Sequence, residues 1–89
     1  SYKELEATGI ALPIVSMHIN YKKPARYDEL LKVTTKLKSQ NGVKIEFDCE
    51  IRNENDELLT TAHFILVFVD VNLGKPILPP DYVLELIKN

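Results

Sequence analysis

Apolar and polar residues alternate through four stretches of the chain, and each alternation predicts a strand. The cleanest is Val43 to Arg52, where Val43, Ile45, Phe47, Cys49 and Ile51 interleave with Lys44, Glu46, Asp48, Glu50 and Arg52. Period two with one apolar side is the mark of an antiparallel strand wet on its other face. Ile14 to Tyr21 places Val15, Met17, Ile19 and Tyr21 on one face and Ser16, His18 and Asn20 on the other. Leu30 to Leu37 sets Leu31, Val33, Thr35 and Leu37 against Lys32, Thr34 and Lys36. Leu58 to Val71 predicts the longest strand. It is apolar on both faces from Phe64 to Val69, as a central or doubly covered strand is.

The intervening residues are turn formers. Ser39-Gln40-Asn41-Gly42 predicts a turn, because Asn and Gly tolerate positive φ. Asn53 to Glu57 is a polar turn, and Pro24 keeps Tyr21 to Glu29 from continuing as a central strand. Ser1 to Thr8 reads as the tail of a helix, with Tyr2 and Leu5 one turn apart and Gly9 placed to close it. Its ending is well signalled and its beginning is not, so its earlier turns are expected before Ser1. Pro80 or Asp81 starts a short final helix, with Tyr82, Val83, Leu86 and Ile87 spaced for one apolar face. The sum is one α+β domain over residues 1–89, with a meander-like antiparallel sheet.

Such a sheet has one apolar face to cover, at roughly 25 cal/mol per Å² of burial. The residual helix is too small for that task, so a longer helix or a second subunit is expected on it. Composition narrows the function classes. A formal net charge of −2 in 89 residues leaves no basic excess for a nucleic acid. A lone Cys49 excludes an internal disulfide and leaves too little sulfur for a structural zinc site. No apolar run approaches the ~20 residues of a membrane span, and no signal-peptide pattern opens the chain, so the default location is cytoplasmic.

Four segments resemble the hotdog-fold acyl-CoA thioesterases of the 4-hydroxybenzoyl-CoA thioesterase type, in that family's order and spacing. They are L-P-I-V (12–15), Y-K-K-P-A-R-Y-D-E-L (21–30), A-H-F-I-L-V-F-V-D (62–70) and G-K-P-I-L-P-P-D-Y (74–82). The Tol-Pal-associated subgroup is the most similar. The resemblance implies an antiparallel sheet wrapped on a central helix, and subunits paired as homodimers or homotetramers with active sites between them. It also implies a catalytic Asp in a D-x-x-G motif ahead of the segment matched by Ser1-Tyr2-Lys3-Glu4-Leu5. The chain is then the C-terminal two-thirds of a hotdog subunit, without the first strand, that Asp or most of the helix. By itself it is expected to be inactive.

Thioester hydrolysis needs a carboxylate nucleophile or base, and donors aimed at the developing oxyanion. No recognisable unit of this kind is present, so no catalytic residue, metal ligand or cofactor is assigned. Asp28 after Tyr27 reads as a solvated turn residue. His18 and His63 lie within strands and read as sheet-face histidines, and Cys49 as an inert core thiol. No G-x-S-x-G elbow presents a serine. For the phosphates of an acyl-CoA substrate, Lys22, Lys23, Arg26, Lys44 and Lys75 are candidates by charge. The resemblance favours Lys75. Tyr21 and Tyr27, flanking Pro24, are candidates for the acyl pocket or the subunit seam, and Thr60 and Thr61 for the wall of the pocket as reached from a partner subunit. The competing reading is a non-catalytic acyl-CoA-binding or assembly module.

Overall fold

A computed structural model describes residues 2–87. The elements in chain order are α1 (Tyr2–Ala7), β1 (Ile10–Ala11), β2 (Ile14–Tyr21), β3 (Lys32–Asn41) and β4 (Lys44–Arg52). They are followed by β5 (Leu58–Val67), β6 (Val69–Asp70), β7 (Lys75–Pro76) and α2 (Asp81–Ile87). Ser1 lies outside the described residues, as do the side chains of Tyr2 and Leu5 in the expected α1 stripe and of Ile87 in the α2 face. Gly9 closes α1 at φ +79°, where a Cβ would be strained.

All pairings are antiparallel, but the strands are not in sequential order. The large sheet runs β2-β5-β4-β3, and a small one runs β1-β6-β7. The expected four-strand meander therefore reduces to β3-β4-β5, with β2 joined to the far side of β5. β2 and β3 form opposite edges, about 14 Å apart at the usual strand spacing. Residues 22–31 must cross the end of the sheet to connect them, and we call this segment the strap.

Three local irregularities re-aim the faces. A bulge sets Ile14 opposite Leu66 and Ser16 opposite Ile65, so Val15 drops out of the alternation expected for it. A second, between Leu37 and Ser39, lets β3 continue to Asn41. The expected turn at Ser39 to Gly42 shortens to Gly42-Val43. Only Gly42 has positive φ there (+61°), as in a type II′ hairpin that follows the twist of the strands. A Cβ on Gly42 meets no atom within 4 Å. Gly42→Ala is therefore expected to cost about 1–2 kcal/mol from backbone strain alone, measured by urea denaturation. The third bulge places an extra residue, Leu59, between the Thr60–Ile51 and Leu58–Arg52 pairs.

The expected single strand Leu58 to Val71 breaks at Phe68. There the chain leaves the large sheet and re-pairs with β1 and β7. The Phe68 peptide stays satisfied, its N–H donating to Val43 O (2.9 Å) and its carbonyl accepting from Ile77 N (2.9 Å). Its side chain is fully buried with Ile10, Ile45 and Val83, against Leu12, Phe47, Leu66, Ile77 and Leu84. The core thus lies at the junction of the two sheets and α2. In α2, Val83 and Leu84 face that core while Tyr82 is exposed, which corrects the apolar face expected for this helix.

The apolar face of the large sheet carries Met17, Phe64, Phe47 and Leu37 in one cross-strand row and Tyr21, Thr60, Ile51 and Val33 in another. Met17, Ile19, Tyr21, Val33 and Leu37 on it are exposed. α1 packs on β1 and α2 and does not cover this face. The result is an extended body, 44 × 21 × 20 Å, with a radius of gyration of 15.5 Å, against about 12 Å for a compact chain of this length. No helix among the described residues is long and apolar enough to cross a membrane.

Candidate functional site

Where the strap crosses the end of the sheet it roofs an apolar cleft of about 550 Å³, within the size range of small-molecule sites. Tyr21, at the end of β2, and Thr60 and Ile51 opposite it form the floor, with the bulged Leu59 beside them. Pro24, Ala25 and Leu31 of the strap close it, and Lys22 and Lys23 stand at the rim. A smaller cavity of about 230 Å³ lies on the other side of Pro24. It shares Lys23, Pro24 and Leu59 and adds Arg26, Glu29, Asn53, Asn55 and Glu57.

Contacts to its neighbours fix the strap. The N–H groups of Lys22 and Lys23 both donate to Leu59 O, at 2.8 and 3.1 Å. Lys23 Nζ donates to Glu57 Oε2 at 2.8 Å, and Leu30 N donates to Glu54 Oε1 at 3.2 Å, so the β4–β5 turn tethers the strap near both ends. Within it, Arg26 N donates to Glu29 Oε1 (2.9 Å), and Asp28 takes φ +62°. Asn53 organises the turn from a buried position. Its Oδ1 accepts from Asn55 N and Glu57 N (3.0 and 2.9 Å), and its Nδ2 donates to Glu57 Oε1 at 2.9 Å. Lys23, and after it Asn53, hold the Glu57 carboxyl below its usual 4.5.

The structure brings Tyr21 and Thr60 together in the cleft and places Arg26 in the adjoining cavity. Tyr27 is 95% exposed at the tip of the strap and lines neither. Thr61 pairs with Asn20 and Glu50 on the opposite face of the sheet. Lys44 pairs with Val67, the last residue of β5, seven residues or about 23 Å from Thr60, and Lys75 lies past that end on β7, opposite Asp70. The basic candidates therefore divide, with Lys22, Lys23 and Arg26 at the strap and Lys44 and Lys75 at the other end.

Among the described residues, no carboxylate, imidazole or thiol lines the larger cleft, where the side-chain polar groups are the Tyr21 and Thr60 hydroxyls and the two rim lysines. Cys49 is half-buried on the apolar face and receives the Thr35 hydroxyl at 3.8 Å. Among the described residues, no group of three or more His, Cys, Asp or Glu is placed to hold a metal ion.

The other face of the sheet carries its own polar cluster. His63 Nδ1 lies 2.8 Å from Asp48 Oδ1 and Nε2 lies 3.1 Å from Glu46 Oε1, while Ser39 donates to Glu46 Oε2 at 2.6 Å. A carboxylate at each ring nitrogen favours the imidazolium, so Asp48 raises the His63 pKa most, against an opposing effect of burial, and Glu46 adds a smaller increase. Ser39, then His63, lower that of Glu46. Protonated His63 stabilises the fold fully below its ordinary 6.5 and loses that contribution as pH rises through the raised value. Ionised Glu46 contributes above its ordinary 4.5 and loses this as pH falls through its lowered value. This cluster is therefore expected to favour folding most between about pH 4.5 and 6.5. An NMR titration of the ring should show a midpoint above 6.5, and His63→Gln should flatten the alkaline limb of stability against pH.

Sequence reasoning passed over Leu59, Asn53 and Glu57. The Leu58-Leu59 pair was a readable signal, because it interrupts the alternation where the bulge occurs. The meeting of the turn with the strap left no local signal.

The antiparallel sheet, its apolar face uncovered among the described residues, is the sheet of a hotdog fold. The chain belongs to the thioesterase-like superfamily, which it matches over residues 1–87. It is 34% identical over 86 residues to the acyl-CoA thioester hydrolase YbgC of Escherichia coli O6:H1. It is 36% identical over 76 residues to YneP of Bacillus subtilis, named as a proposed acyl-CoA thioesterase. These alignments cover 96% and 85% of this chain but 64% and 55% of those proteins, so the chain spans less than two thirds of the relatives it matches. Among solved structures, the DHNA-CoA thioesterase of Staphylococcus aureus superposes with a TM-score of 0.87 at 32% identity, covering 97% of this chain and 58% of that one.

Proposed function

We propose that the whole protein hydrolyses acyl-CoA thioesters to the free acid and CoA, as a cytoplasmic homodimer or homotetramer. Within the family we assign it to the 4-hydroxybenzoyl-CoA type and the Tol-Pal-associated subgroup. The observation that carries this reading is the apolar cleft with lysines at its rim, in a chain of the thioesterase-like superfamily. Tyr21 and Thr60 contact the acyl group, while Arg26 and Lys75 meet the phosphates of CoA. Tyr27, Thr61 and Lys75 face away from the cleft of their own subunit, so they act in a site shared with a second copy. The nucleophile or base is a carboxylate upstream of Ser1, and residues 1–89 form the later two-thirds of the subunit.

A second reading draws support from the lining of the cleft. A cleft whose described lining is apolar, with hydroxyls and lysines as its polar groups, also suits a module that binds acyl-CoA without cleaving it. Release of free thiol from a panel of acyl-CoAs separates the two. The full-length protein is expected to turn over at least one acyl-CoA, and residues 1–89 alone none. Tight binding of acyl-CoA by the full-length protein without thiol release would establish the binding module instead.

A further inference from the structure

The strap and the β4–β5 turn meet through contacts 24 and 34 residues apart in sequence, and Glu57 is at the centre of the contact. One carboxylate oxygen is held by Asn53 Nδ2 at 2.9 Å, and the other receives Lys23 Nζ at 2.8 Å. Asn53 is the buried polar residue of this region, and its remaining acceptor shapes the turn that presents Glu57. Lys23 is followed directly by Pro24 and Ala25, two residues of the cleft wall. The Lys23 and Glu57 side chains are 58% and 44% exposed, and ion pairs this exposed contribute little to folding stability. The value of the pair is therefore geometric. The same turn takes the other end of the strap through Glu54 and Leu30 N, so Pro24 to Glu29 is suspended between two acidic side chains of a single hairpin.

We propose that Glu57 is a positioning and specificity-determining residue for the thioester site. The Lys22 and Lys23 N–H bonds anchor the strap backbone on Leu59 O. Glu57, clamped by Asn53, holds the Lys23 side chain and so sets how Pro24 and Ala25 stand over Thr60. That spacing determines the length of apolar acyl group the cleft accepts. The inference rests on the cleft's being the acyl site, as proposed above. Neither Glu57 nor Lys23 Nζ performs a chemical step in it. Releasing the clamp joins the two cavities around Pro24, which share Lys23 and Leu59, and the longer apolar groups gain room.

The test uses the full-length protein carrying Glu57→Gln, Lys23→Met or the reversed pair Lys23→Glu/Glu57→Lys. Steady-state kinetics with acetyl-, hexanoyl- and dodecanoyl-CoA are read beside thermal melting. Each single variant is expected to shift the ratio of kcat/KM for dodecanoyl- over acetyl-CoA at least fivefold, through KM. The reversed pair should restore the ratio, which a merely structural role would not require. A lowered melting temperature with an unchanged ratio would overturn the proposal, as would failure of the reversed pair to restore it. If the wild type hydrolyses no acyl-CoA, the hydrolase reading falls, and calorimetric titration with decanoate tests the clamp separately. Decanoate affinity should then differ at least threefold between wild type and Glu57→Gln and return in the reversed pair. Equal affinities, or no binding by the wild type, would overturn it.

Discussion

Phe68→Ala is expected to remove about 3–5 kcal/mol of stability, because it empties the centre of the buried core. Phe68 is fully buried and joins Ile45 of β4 and Val83 of α2 to Ile10 of β1. Its backbone already bonds to Val43 and Ile77, so the chain is held in place and the cavity cannot easily collapse. In a domain of this size the loss corresponds to a drop in melting temperature of roughly 12–40 °C. That is a large share of the ~5–15 kcal/mol by which domains are ordinarily stable. Urea denaturation of the full-length protein measures it. A change below about 1 kcal/mol would show that the junction of the two sheets is not the centre of the core.

Leu59→Ala is expected to cost about 2–5 kcal/mol, by the same cavity argument at a different place. Leu59 is 3% exposed and forms part of the wall of both cavities, so its truncation also connects them. The strap remains attached, since it bonds to the Leu59 carbonyl and not to its side chain. Two readouts should therefore part. Stability falls, while a spectroscopic probe on the strap, such as fluorine-labelled Tyr27, keeps its folded signal until global unfolding. Early loss of that signal would show that the side chain, and not the carbonyl, holds the strap.

Much of the fold was legible in the alternation. The faces of β4 read directly from Val43 to Arg52, because side chains on a strand point alternately whatever the partner is. Gly9 at the end of α1 and Pro80, whose carbonyl accepts from Val83 N and Leu84 N at the start of α2, were readable for the same local reason. The face of Val15 was misread because it falls at a register shift; Lys38 and Leu59 fall at two more, where alternation carried across a bulge would put the following residues on the wrong face. The extended strand through Phe68 failed differently. A continuous apolar run does not reveal that its middle residue leaves one sheet for another.

The candidate site divides along the same line. Tyr21 and the strap were conspicuous because Pro24 interrupts the pattern. Thr60 and Thr61 were paired in sequence but separate in space, since neighbours on a strand face opposite ways. Lys75 and Arg26 shared a charge and nothing else; they lie near opposite ends of β5, one on β7 and the other in the strap. Asn53 and Glu57 looked like ordinary turn polarity, and only the strap crossing above them makes them a clamp.

By itself the sequence determined the strand faces, the helix ends, the polar turns and the apolar surface still to be covered, because each follows from neighbours a few residues apart. The tertiary structure alone decided that β2 lies beside β5, and everything at the site follows from that pairing. With β2 and β3 at opposite edges, residues 22–31 have to bridge the end of the sheet, roofing a cleft over Ile51, Leu59 and Thr60. Strand order is a choice among non-local contacts that differ little in their local patterns. It is made by which apolar rows pack together, here Met17 with Phe64 and Phe64 with Phe47, and no short window of sequence contains all three.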